Sequence, residues 1–239
     1  MQYLSYKDIE TIAEAVVHDF LGEKVNSFCP IDVERFAEDY LGLALKYMKL
    51  SDDGSILGLT TYEGIILEIE RNNTKEKIPI PQDTILIEEE LQKDKQSGRK
   101  NFTLSHECAH QVLFRVGPTN YCNNYRKQFS AGKTYSLRSL ASKDDWCEWQ
   151  ANALGAAILM PQKLIEQCLF RFGCNNQILI YGDYTLRRQD RDVIYNMTSF
   201  LGVSFSALII RLRQLKVIKD MSLSEYHEPL EVVFDVPSC

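Results

Sequence analysis

The chain has 239 residues, 45% of them hydrophobic and 25% charged, with a formal net charge of -6. That length and composition describe an ordinary globular protein with one sizeable core and, at most, a small appended lobe. The acidic balance speaks against binding nucleic acid through bulk charge, and the longest apolar run, Ala153 to Met160, falls far below a bilayer span.

With no signal-like segment at its start, the chain is expected to be cytoplasmic. Its seven cysteines are odd in number, irregularly spaced and without a CxxC pair, so reduced thiols are expected rather than a disulfide framework or a zinc ribbon.

Ile9, Ile12, Ala13, Val16, Val17 and Phe20 recur at helical spacing, which predicts an amphipathic helix from about Lys7 to Leu21 ending near Gly22. His18 reads as a surface residue of that helix. A second helix is expected over "IDVERFAEDYLG", capped by Asp32 and stopped by Gly42. Between Leu43 and Leu91, the runs "LALKYMKL", "SILGLTTY", "GIILEIE" and "TILIEEE" predict three to four strands of one small sheet, interrupted by the polar stretch Arg71 to Asp83. The segment "ELQKDKQSGRKN" reads as a solvated connection.

Beyond it the pattern is mainly helical. A loop runs from Gly117 to Ala141, and helices are expected over about Asp144–Met160 and Gln162–Phe172, the latter bracketed by Pro161 and Gly173. Two more are expected near Asp190–Leu201 and Ser204–Val217, with "LEVVFDV" as a late strand. The fold class is therefore α+β in a single domain, with a C-terminal helical lobe from about residue 173.

Two of the four histidines stand four apart in "TLSHECAHQV". On a helix, His106 and His110 share one face a turn apart and can present ring nitrogens to one ion. Glu107 points roughly 100° round the helix, which lets it reach a water at the ion without being a ligand. Two satisfied histidines beside an ordinary glutamate are the competing explanation, and a third ligand decides between them.

Downstream, "SKDDWCEWQANALGAAILMP" opens on a Ser142–Asp145 capping box and puts Glu148 and Asn152 on one face, with Ala151, Gly155 and Ala156 on or beside it. Small residues there let a second helix backbone approach the first. Glu148 is then the candidate third ligand, and Asn152 the candidate partner for a ligand histidine's free ring nitrogen. The alternative for Glu148 is a first-turn glutamate favoured by the helix dipole. Three protein ligands leave one position open, as in catalytic zinc sites, and manganese would also be accepted.

"FTLSHECAH" followed by "EWQANALGAAILMP", with "PIDVERFAEDYLGL" upstream and "FLGVSFSALIIRLRQLKVI" downstream, resembles the ImmA/IrrE family of bacterial metallo-endopeptidases from about Pro30 to Ile218. The resemblance implies a zincin-like fold and cleavage of a separate helix-turn-helix repressor, which switches on mobile-element or stress-response genes. It also implies His106, His110 and Glu148 as ligands and Glu107 as general base. Departures at Leu154, Gly155 and Cys108 bear on packing more than on chemistry.

A donor to the tetrahedral oxyanion is expected among Tyr121, Tyr125, Tyr135, Arg138 and His227, and a strand near Thr84–Ile87 is a candidate for aligning an extended substrate. Arg187, Arg188, Arg191, Arg211, Arg213, Lys216 and Lys219 make the region around "FLGVSFSALIIRLRQLKVI" locally basic, and its helix-turn-helix look admits direct DNA binding. A packing or substrate-docking lobe is the preferred reading. Cys108, Cys147 and Cys122 are weighed for ligand or redox roles, with a small buried apolar role preferred for the first two. The alternative function is a non-cleaving regulator that binds DNA or a partner and keeps zinc structurally.

Overall fold

The computed structural model describes residues 3–71, 74–117, 127–130, 142–174, 177–183 and 185–226. The chain divides into two compact units, Met1–Ser27 with Ile31–Leu159, and Phe28–Pro30 with Met160–Cys239. The break thus falls at Met160, upstream of the start expected for the C-terminal lobe.

The first unit opens with α1 (Tyr6–Leu21), whose N-terminus is closed by a reciprocal Ser5–Asp8 capping box and whose buried face is Ile9, Ala13 and Val17. His18 is exposed, as its place on the helix implied. Next, α2 (Val33–Arg35) is capped by Asp32 and continues as a π-turn over Phe36–Tyr40, after which Gly42 takes a left-handed φ of 67°.

The strands are β1 (Ala44–Met48), β2 (Ile56–Thr61), β3 (Ile65–Arg71), β4 (Thr74–Ile80), β5 (Thr84–Glu88) and β6 (Lys127–Ser130). A four-stranded sheet runs in the order β1-β5-β2-β6, with β1 parallel to β5 and the other pairings antiparallel.

The four expected runs form β1, β2, β3 and β5, but the stretch holds a fifth strand, β4, and the single expected sheet needs correction twice. First, β3 pairs with β4 in a separate hairpin. The stretch Arg71 to Asp83, read as polar, contains β4, in which Ile80 is buried and Ile78 packs partly buried against the same cluster. Second, the fourth strand of the main sheet is β6, from the segment read as loop. The position proposed for substrate alignment also changes: β5 is paired on both sides and has no free edge for a peptide.

Leu59 of β2 and Leu86 of β5 pack with Leu50, Leu67, Ile69 and Ile80 in one cluster, each such side chain contributing about 1.5–3 kcal/mol on burial. Because strand side chains alternate, Gly58, Thr60, Ile85 and Ile87 face the opposite side. That side is covered by α3 (Ser97–Val116). The segment read as a solvated connection is short 3₁₀ turns, Glu89–Gln92 and Asp94–Gln96, followed by the start of α3. There Lys100 pairs with Glu34 at 2.8 Å.

Against α3 lies α4 (Lys143–Leu159), started by the expected box: Ser142 Oγ accepts from the Asp145 amide, and Asp145 Oδ2 accepts from the Ser142 amide. The other flank of α4 carries α1, where Tyr3 and Tyr6 meet Trp146 and Trp149 edge-on. Ile158, Leu154 and Ala151 are fully buried.

The second unit contains α5 (Gln162–Arg171), β7 (Ile178–Tyr181), β8 (Thr185–Leu186), α6 (Arg188–Leu201), α7 (Phe205–Gln214) and β9 (Ile218–Met221). Its small sheet, ordered β8-β7-β9, was not anticipated; β7 runs parallel to β9 and antiparallel to β8. The α6–α7 bend of 106° turns on Gly202, at a left-handed φ of 62°, and on the Ser204 cap. Phe28 stacks on Phe200 at 4.2 Å and lies under Arg171.

The expected basic surface here is reduced. Arg211 is buried and donates to the Met160 carbonyl at 3.0 Å, while Arg187, Arg191 and Arg213 pair with Asp190, Asp192 and Asp220. The "LEVVFDV" strand lies outside the described residues. Among those residues, no single helix is long and apolar enough to cross a membrane.

Candidate metal centre

The middle of α3 is buried all round, from Thr103 to Leu113. A polar HExxH segment tolerates this because its groups converge on one another and on α4. The approach of the two helices depends on Gly155. A Cβ there would lie 3.0 Å from the His106 Cα and N and from the Ser105 carbonyl oxygen, all backbone atoms that cannot swing aside. The Ser105 hydroxyl closes the contact by donating to the Gly155 carbonyl at 2.8 Å.

Across this seam, the structure brings together the residues read from sequence. His106 Nε2 lies 3.1 Å from His110 Nε2 and 3.3 Å from Glu148 Oε2, and His110 Nε2 lies 3.4 Å from Glu148 Oε1. An ion holding ligands at 2.0–2.1 Å in a tetrahedron needs them about 3.3–3.4 Å apart. Two ring nitrogens and a carboxylate at this spacing therefore fit zinc without rearrangement. Among the described residues, this is the group of metal-ligating type whose atoms lie within 4.8 Å of one another.

Asn152, one turn after Glu148, places Oδ1 3.1 Å from His106 Nδ1. As an acceptor, that oxygen holds the ring proton on Nδ1 and leaves the Nε2 lone pair facing the centre. His110 Nδ1 has no such partner.

Burial pushes the His106 pKa down to about 4, against the hydrogen bonds the ring makes to Glu148 and Asn152, so the ring is neutral at neutral pH and available as a ligand. Burial works against the Glu148 carboxylate, but the charge of His110 and the hydrogen bonds to both rings outweigh it and hold it well below the usual range. Glu107 behaves oppositely: burial first, then the neighbouring Glu148 charge, push its carboxyl well above the usual value. Its two oxygens are buried without a hydrogen-bond partner, as expected of a group whose partner is a water or substrate atom.

Cys108 and Cys147 are buried and contribute nothing to the ligand group; burial pushes the Cys108 thiol upward, away from thiolate character. Tyr121, Cys122, Tyr125, Tyr135, Arg138 and His227 lie outside the described residues.

Sequence reasoning missed three neighbours of Glu107. Gly58 of β2 lies directly against its side chain. Thr103, one turn before it, has a buried hydroxyl without a hydrogen bond. Gln111, one turn after it, donates to Thr60 Oγ1 at 2.7 Å and the Thr61 carbonyl at 3.0 Å. The available signal was the lone glycine inside an otherwise apolar strand, which marks a bulge or a close approach.

None of the curated proteins matches the chain. The family described as Peptidase_M78, IrrE N-terminal-like domain, matches residues 85–213, more than half the chain and a span that includes both α3 and α4. A family of metal-dependent peptidases and a zincin-like α+β fold with a His–His–Glu group across two helices agree, and the chain belongs to the IrrE N-terminal-like family of M78 peptidases.

Proposed function

We propose that the chain is a zinc-dependent endopeptidase that cleaves a helix-turn-helix transcriptional repressor and so derepresses mobile-element or stress-response genes. The observation that carries the enzymatic part is the pairing of a tetrahedrally spaced ligand set, His106, His110 and Glu148, with an unpartnered buried carboxylate on the next residue, Glu107. A purely structural metal site has no use for that carboxylate. When bound, zinc supplies a Lewis acid that acidifies water and polarises a peptide carbonyl; manganese would serve the same ligands.

Glu107 takes the proton of the attacking water and passes it to the leaving amine. A raised pKa suits both halves of that transfer near neutral pH. Asn152 orients His106, and burial of the ring keeps it unprotonated. The repressor as substrate is inferred from the family resemblance, and a cytoplasmic location agrees with the odd number and irregular spacing of the cysteines. Direct DNA binding by the second unit is the lesser reading, because aspartates neutralise Arg187, Arg191 and Arg213 and Arg211 is buried.

The test is incubation of the purified protein, with zinc or manganese, with the helix-turn-helix protein encoded beside its gene. The expected result is one discrete cut, blocked by chelator and absent in Glu107→Gln, which keeps its zinc. Undiminished turnover in Glu107→Gln removes the general-base role, and an intact repressor under all conditions removes the substrate.

A further inference from the structure

No hydrogen bond holds the Glu107 carboxylate; strand β2 is what it rests against. A Cβ on Gly58 would stand 2.8 Å from Glu107 Oε1, 3.0 Å from Glu107 Cγ and 2.8 Å from Thr103 Cγ2. Any larger residue in β2 would therefore displace the side chain. The backbone at Gly58 is not in the left-handed range, so the glycine answers a demand of space rather than of a turn.

Two features keep β2 in this register along α3. Gln111 is tied to Thr60 and Thr61, and Tyr62 stacks on Phe114 with centroids 4.3 Å apart. The β2–β6 pairing shifts between Ile56 and Gly58, a bulge of the kind that re-aims a strand beside a site.

We infer that Gly58 is a positioning residue for Glu107, with β2 setting where the base stands while α4, through Glu148 and Asn152, sets the metal ligands. The inference rests on the reading of Glu107 as general base. Its consequence is that metal retention and turnover are separable by substitutions on the two sides of α3.

The experiment is Gly58→Ala in the full zinc-loaded chain, beside Glu107→Gln. Zinc affinity should stay within about threefold of wild type, since no ligand is touched. The kcat on a fluorogenic peptide cut by wild type should fall about 100-fold with KM unchanged, the cost of misplacing a reacting group by about 1 Å. Acetohydroxamic acid, which must hand its proton to a carboxylate beside the metal, should bind about tenfold more weakly. Adding Thr103→Ala removes the methyl crowding but not the contact with Glu107, so it should restore the melting temperature and leave kcat low.

Wild-type kcat in Gly58→Ala, zinc loss in proportion to kcat loss, or recovery of kcat together with melting temperature in the double variant overturns the inference. Where Gly58→Ala folds poorly, the same substitution is made in Glu107→Ala. There the destabilisation should shrink, and an equal loss in both backgrounds overturns the inference. Wild type that cuts no peptide counts against the peptidase reading alone, because the hydroxamate and stability measurements still report on Gly58.

Discussion

Substituting Asn152 by Ala removes an acceptor at the His106 ring, the Oδ1 3.1 Å from His106 Nδ1. Without it, the proton on the neutral ring redistributes between Nδ1 and Nε2, and the ring is held less firmly. The zinc-binding form then becomes one of several. Partners of this type are worth about 10- to 100-fold in metal affinity, or about 1.4–2.7 kcal/mol. Because Asn152 is only half-buried, the metal-free protein should lose no more than about 0.5 kcal/mol.

The assay is competition for zinc against a chromogenic chelator at fixed pH, paired with melting curves with and without zinc. The gap between those curves should narrow with the weaker binding. Asn152→Asp keeps an acceptor at the same place and should retain most of the affinity. Zinc binding in Asn152→Ala within about twofold of wild type would show that the orientation of His106 is set elsewhere and refute the reasoning.

Glu148→Ala leaves two ring nitrogens and should reduce zinc content well below one per chain; full occupancy by elemental analysis would place the third ligand outside α4. Gly155→Leu forces a side chain into the seam where backbone atoms already lie 3.0 Å away, which should cost about 1–3 kcal/mol in chemical denaturation and weaken zinc by parting Glu148 from the histidines. A metal-free protein carrying Glu107→Gln, which removes the opposing titration of Glu107, should lose stability as pH falls from 6.5 to 4. Over that window the unfolded chain takes up a proton that the buried His106 ring, held at about 4, refuses. The stability is fully present above the unfolded value and declines by up to about 3 kcal/mol on acidification, with a further decline below 4.5 as the depressed Glu148 carboxylate is lost. A flat urea midpoint across that range would contradict the burial argument.

The features legible along the chain are those whose physics is local. The i, i+4 spacings of His106–His110 and Glu148–Asn152, the Ser142–Asp145 box and the glycine stops at Gly22 and Gly42 depend on residues within a turn or two of one another, and each appears where its spacing places it. The strands were less legible. In β4, the charged run Lys75–Lys77 hides the inward Ile78 and Ile80 from a reading of the pattern, and the short β7 meets β9 only through a parallel pairing forty residues apart in the chain. The basic surface of the second unit is smaller than the sequence suggests for the same kind of reason: charges counted along the chain do not show that Arg211 is buried or that Asp220 reaches Arg213.

The sequence therefore carried the choice of chemistry: which side chains are of ligating type, on which helix faces they stand, and which family the chain belongs to. Tertiary packing decided whether those faces meet, because the 3.3–3.4 Å spacing of the Glu148 oxygens from the two histidine rings is produced by the α3–α4 contact at Gly155 and by no property of either helix alone. It also decided what the Glu107 side chain rests against. Gly58 and Glu107 lie in separate elements, and only the close approach of β2 to α3 turns an unremarked glycine in a strand into the surface on which the carboxylate rests.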